Sequence, residues 1–127
     1  MSVLVIDDVR QFKFECVYAR TSESGYALIL SEDHWDEIWF DHDLGGTDTT
    51  RSILLALRQD QYDGKPIPSV NRIVIHTSNP PGRDWLIDEC ISIWGNIVKV
   101  VDASWYCDDL LPEPPNAQDY LIESDTE

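Results

Sequence analysis

Val3-Leu4-Val5-Ile6-Asp7-Asp8 opens the chain with four apolar residues that run straight into two acids. A short run without polar alternation fits a strand buried on both faces, as in a parallel sheet. The same pattern recurs outward from it. Cys16-Val17-Tyr18-Ala19 reads as a second strand, Glu37-Ile38-Trp39-Phe40-Asp41 as a third that again ends in acid, Arg72 to His76 as a fourth and Ile97 to Val101 as a fifth. Helical spacing separates them. Thr21 or Ser22 caps a helix through about Ser31, with Ala27, Leu28 and Leu30 in its apolar part. Ile53, Leu54 and Leu57 share one face of the next helix, which Asp63-Gly64-Lys65-Pro66 breaks. Leu86, Ile87, Cys90, Ile91 and Trp94 stripe a third helix that starts near Arg83 and is closed by Gly95. Strands alternating with helices predict an α/β fold with a mainly parallel sheet.

Composition bounds the rest. The chain has 127 residues, 43% of them apolar, which suffices for one packed core. Five Trp and five Tyr argue against wholesale disorder. No run approaches the ~20 apolar residues of a membrane span, and the N-terminus meets aspartates at once rather than building a secretory signal. Cys16, Cys90 and Cys107 form no CxxC pair and read as buried thiols of a reducing, cytoplasmic setting. The charge of -15 disfavours duplex nucleic acid, whose backbone is gripped by Lys and Arg. It leaves room for a small phosphate ligand held through a metal, or for a basic protein partner. Residues 1–111 are expected to form the domain, and 112–127 an acidic, proline-rich tail.

In parallel sheets ligands bind beyond the carboxyl ends of the strands. Three of the predicted strands end there in polar clusters: Asp7-Asp8, Asp41-His42-Asp43 and His76-Thr77-Ser78-Asn79. Asp7, Asp8 and Asp41 would converge. Carboxylates that close repel one another unless a cation neutralises them. All-oxygen ligands suit Mg²⁺ or Mn²⁺ better than zinc.

Asp-Asp after the first strand, Asp41 after the third, Thr77 after the fourth and Lys99 at the fifth resemble the receiver domains of two-component signalling. Lys99 follows Thr77 by the receiver spacing of 22 residues. The resemblance implies a flavodoxin-like three-layer sandwich whose five parallel strands run in the order 2-1-3-4-5. It also implies a metal held by Asp7, Asp8 and Asp41, with Asp43 at the position that offers a backbone carbonyl. The chain departs from receivers after its first strand, in a last helix that looks truncated, and at Lys99, which lacks the proline that follows it in receivers. Only 32 residues separate Asp8 from Asp41, and Val9 to Glu15 is too short for a first helix, so that helix is expected to be missing or reduced. The resemblance implies that Lys99 binds a phosphate oxygen; it lies inside an apolar strand, and facing a neighbouring acid there is the alternative.

The strings Val3 to Arg10, Ala19-Arg20-Thr21, Trp39 to Gly46 and Ile75 to Pro80 resemble more closely a divergent group, the cyclic-phosphate-processing receiver domains of bacteria and phages. This implies action on a small nucleotide or an RNA terminus carrying a cyclic phosphate. Opening such an ester needs an activated water, stabilisation of added charge and a proton for the leaving oxygen. His42, between Asp41 and Asp43, is the candidate general acid, and His76 the partner base. Thr77, Ser78, Asn79 and the loop amides at the following helix start are candidates for phosphate oxygens, with Arg83 as a bidentate partner. In a regular strand, however, His42 and Asp41 point to opposite faces, and so do His76 and Thr77. Asn79-Pro80-Pro81-Gly82 reads equally as a rigid turn. Two other functions compete: a non-catalytic protein that sequesters a nucleotide or binds a partner, and a stand-alone receiver phosphorylated at Asp41.

Overall fold

The computed structural model describes residues 2–12 and 14–100. The expected truncated last helix and C-terminal tail, Cys107 and the end of the fifth strand at Val101 lie outside the described residues. The chain runs β1 (Val3–Ile6), β2 (Val17–Ala19), α1 (Ser22–Leu30), β3 (His34–Phe40), α2 (Arg51–Tyr62), β4 (Ser69–Ile75), α3 (Pro80–Trp94) and β5 (Val98–Val100). All four strand pairings are parallel and the order is β2-β1-β3-β4-β5. This is the receiver-like sheet, and no helix lies between β1 and β2 among the described residues.

β1 is wholly buried because it sits inside the sheet with both faces covered. Alternation along the strands divides the core in two. Leu4, Ile6, Ile38, Phe40, Ile73 and Ile75 face the three helices, where Ile29, Leu54, Leu57 and Leu86 meet them. Val3, Val5, Trp39 and Val74 face the other way. The segment replacing the missing helix drops Phe12 and Phe14 onto that second face, their ring centroids 5.5 and 5.3 Å from that of Trp39. Two aromatic side chains thus do the covering that a helix performs elsewhere, each contributing ~1.5–3 kcal/mol of apolar burial.

Thr21 caps α1, its hydroxyl accepting from the Ser24 amide while the Ser24 hydroxyl accepts from the Thr21 amide. α3 starts earlier than the apolar stripe suggested. Asn79 is its N-cap, accepting from the Gly82 amide, and Pro80 and Pro81 occupy the first turn, where a missing N–H costs least. Asn79-Pro80-Pro81-Gly82 is therefore a helix start rather than a free-standing turn. The buried stripe is Leu86, Cys90 and Ile93, while Ile91 lies exposed.

Candidate functional site

The ladders set the site. Ile6 pairs with Phe40, and Phe40 with Ile75. The next residues, Asp7, Asp41 and His76, continue at one level: Asp41 N–H donates to the Ile6 carbonyl at 3.0 Å and His76 N–H to that of Phe40 at 3.1 Å. They share strand parity with Val5, Trp39 and Val74, so they stand on the Phe12 face of the sheet.

One oxygen each from Asp7, Asp8 and Asp41 lies within 4.8 Å of the others. Asp7 is fully buried and densely bonded. Its Oδ1 accepts from the amides of Val9 and Arg10 at 3.0 and 2.9 Å. Its Oδ2 accepts from Arg10 at 2.9 Å and from His76 Nε2 at 3.0 Å. Burial pushes this carboxyl up, but His76, through its hydrogen bond and charge, together with Arg10, outweighs it and holds Asp7 far below the usual carboxylate range. Asp41 goes the other way. Burial raises it, with Asp7's charge adding to the rise, and His76, Arg10 and the hydrogen bond from Thr77 only partly offset that.

Arg10 spans the two acids. Its NH1 donates to Asp7 Oδ2 at 2.9 Å and to Asp41 Oδ2 at 3.1 Å. Arg20 fixes the turn that carries it, donating to the carbonyls of Asp7 and Arg10 at 3.1 and 2.7 Å while lying over the Tyr18 ring. Neither arginine was assigned to the site from the sequence. The available signal was Asp7 followed three residues later by Arg10, the spacing of a turn closed by an aspartate side chain.

His42 does not join this cluster. Its Nδ1 lies 3.0 Å from Asp43 Oδ1 and its Nε2 2.8 Å from Arg51 Nε. Arginine only donates, so Nε2 accepts from Arg51, and Nδ1 faces the Asp43 carboxylate. The ring expected between Asp41 and Asp43 thus contacts Asp43 and Arg51 and stands apart from the three acids. Arg51 stacks on Trp85, 4.7 Å from the ring centroid. Asn79 donates to Asp43 at 3.1 Å, so the Asp43 side chain is turned away from the three acids and toward α3. Gly82 lets the α3 backbone cross this ring, since a Cβ there would lie 2.5 Å from His42 Cγ.

Thr77 is buried against Asp41, and Ser78 beside it is exposed. The α3 start offers few amide donors to an anion: Pro80 and Pro81 have none and that of Gly82 is taken by Asn79. Arg83 lies in this first turn, and among the described residues it makes a long ion pair to Asp84 at 3.9 Å. Lys99 is in mid-strand, level with Val74. It lines a separate polar recess of about 500 Å³ with Glu37, Arg72, Asn71 and Asn96. Gly45, with φ at 95°, brings the loop after β3 against Asp8, where a Cβ would meet Oδ2 at 3.3 Å.

A parallel 2-1-3-4-5 sheet with carboxylates at the ends of β1 and β3 and a hydroxyl after β4 defines a receiver-like domain. The sequence profile of the cyclic-phosphate processing receiver domain matches residues 2–91, and the chain belongs to that family. No curated protein matches the chain. Among solved structures, one of a yeast Spc42 trimeric coiled-coil segment fused to another protein is similar at 15% identity, with a TM-score of 0.46 over 78% of this chain and 67% of that one. No described helix is long and apolar enough to cross a membrane.

Proposed function

We propose that the domain is a phosphoesterase dependent on Mg²⁺ or Mn²⁺ that opens cyclic phosphates on small nucleotides or RNA ends. The observation that carries this is the meeting of Asp7, Asp8 and Asp41 within 4.8 Å at the carboxyl end of a sheet whose family processes cyclic phosphates. The donor set fits such an ion: three carboxylates supply hard oxygens, and Asp41 sits where negative charge is costly. Asp8 and Asp41 would hold it above all, with Asp7 behind them. When bound, the ion polarises a phosphoryl oxygen and makes an ionised water available.

The chain's own groups do the rest. Thr77 orients Asp41 through its hydroxyl, and Ser78 offers a further hydroxyl to a phosphoryl oxygen. Arg83 is placed to pair with a second one. Before an ion binds, His76 and Arg10 keep Asp7 ionised in a buried position. His42 is locked between Asp43 and Arg51, so it acts as a positioning residue that ties the loop after β3 to α2. The leaving oxygen takes its proton from solvent.

The test is hydrolysis of 2′,3′-cyclic and 3′,5′-cyclic nucleotides and cyclic oligonucleotides with each metal. Turnover that Asp41→Asn lowers ~10²–10⁴-fold and His42→Ala lowers less than about tenfold supports the whole reading. Tight nucleotide binding without turnover replaces it with sequestration. Stable labelling of Asp41 by acetyl phosphate without hydrolysis replaces it with a signalling receiver.

A further inference from the structure

Three arginines lie near the acids, and each has different partners. Arg20 is spent on two backbone carbonyls that shape the turn. Arg51 is spent on His42 and Trp85. Of the three, Arg10 bonds the carboxylates that would hold a metal, beside His76 on Asp7, and it reaches both Asp7 Oδ2 and Asp41 Oδ2 from a single nitrogen. Those two oxygens cannot serve a guanidinium and a divalent ion with their full charge at once. Arg10 therefore already does for Asp7 and Asp41 what a metal does: it neutralises repelling acids.

The attachment of Arg10 is built to survive a change of side-chain partner. Its amide is fixed by Asp7 Oδ1 at 2.9 Å and its carbonyl by Arg20 at 2.7 Å. The turn stays in place whichever way the side chain goes. An anion arriving at this end of the sheet meets Ser78 and Arg83 but few backbone amides, because the first turn of α3 holds two prolines and a capped glycine. A guanidinium is the side chain best matched to phosphate oxygens.

We infer that Arg10 is a resident counter-ion which a divalent cation displaces from Asp7 and Asp41, and that the displaced guanidinium then takes the phosphoryl group. This rests on the metal site of the proposed function, but not on catalysis. It has a thermodynamic consequence. A metal frees Arg10 for phosphate, and phosphate draws Arg10 off the carboxylates, so each ligand must tighten the other. Removing Arg10 should then strengthen metal binding, the opposite of what removing an ordinary structural neighbour does.

The experiment is calorimetric titration of Mg²⁺ into the full chain and into Arg10→Ala and Arg10→Gln, each with and without inorganic phosphate. The glutamine variant decides the matter if the alanine variant does not fold. Without phosphate, the variants should bind Mg²⁺ at least tenfold more tightly than the unsubstituted chain. Phosphate should tighten Mg²⁺ binding several-fold in the unsubstituted chain and much less in the variants. In chelator, Arg10→Ala should melt below the unsubstituted chain and regain more on adding Mg²⁺. Equal or weaker Mg²⁺ binding by the variants overturns the inference, as does absence of Mg²⁺ binding throughout, which would make Arg10 a permanent counter-ion. A chain that shows the exchange and the coupling yet hydrolyses nothing leaves this inference standing and removes the phosphoesterase.

Discussion

His42 and His76 follow neighbouring parallel strands, both are buried, and each bonds a carboxylate at 3.0 Å, yet they do opposite work. His76 comes directly after Ile75 and keeps the parity of Val74, so it falls on the Phe12 and Trp39 face beside Asp7. His42 comes one residue after Asp41, the level-mate of His76, and falls on the helix side. There its carboxylate, Asp43, is exposed, and its second nitrogen meets Arg51. One residue of register separates a histidine built into the acid cluster from one that staples a loop to two helices. The partner acids differ accordingly. Asp7 has no exposure and is held by His76, Arg10 and two backbone amides. Asp43 is lowered by Asn79 and then by His42, at the surface, where solvent screens both.

The largest expected effect contrasts these two acids. Asp7→Ala removes the centre of a buried network and leaves His76 and Arg10 facing an apolar gap, which should cost ~3–5 kcal/mol. Asp43→Ala removes a surface partner and should cost ~1 kcal/mol or less. Urea unfolding of the two variants measures the difference. Equal losses would mean that the two histidine sites are not distinct in the way burial and bonding indicate.

Next in size is Gly82→Ala. The new methyl group would lie 2.5 Å from the His42 ring, and forcing the α3 backbone off it should cost ~1–3 kcal/mol. Placed on a His42→Ala background, the same change should cost much less, because the ring it strikes is gone. The non-additivity is the informative quantity. Full additivity would show that α3 does not rest on His42.

Much of this was legible in the sequence, and what was not has local causes. The apolar runs at Val3–Ile6 and in β3 and β4 marked buried parallel strands because they are short, rich in β-branched and aromatic residues, and end in polar clusters. The missing helix followed from the seven residues between Asp8 and Cys16. The convergence of Asp7, Asp8 and Asp41 followed from where the strands end. The start of α3 was misplaced because Pro80 and Pro81 read as a break, although proline is tolerated in a first turn. Strand parity separates His42 from Asp41 in the sequence as in the structure. Pairing His76 with Asp41 needs the register between β3 and β4, which no local pattern carries. Arg10 and Arg20 were hidden for a similar reason. Their roles depend on the irregular backbone between β1 and β2, where neither the helix nor the strand period applies.

The smallest effect is a difference of sign between Asp7 and Asp41 in the metal-free protein. Asp7 has its folded pKa depressed, so its stabilisation is present above its unfolded value of ~3.9 and is lost as pH falls toward the folded one. Asp41 has its folded pKa raised, so its contribution is present below the unfolded value and is lost as pH rises through the folded one. Replacing each by asparagine removes that dependence. Asp7→Asn should therefore destabilise the chain at neutral pH. Asp41→Asn should stabilise it there, because burial and Asp7 make the ionised group unwelcome, and the gain should fade as pH falls below about 4. Melting in chelator across pH 3 to 8 follows both variants, roughly over the range in which unfolded carboxylates titrate. A destabilised Asp41→Asn at neutral pH would mean that Arg10 compensates Asp41 more fully than Asp7 and burial oppose it. The ionised pair would then be an asset of the metal-free fold rather than a strain on it.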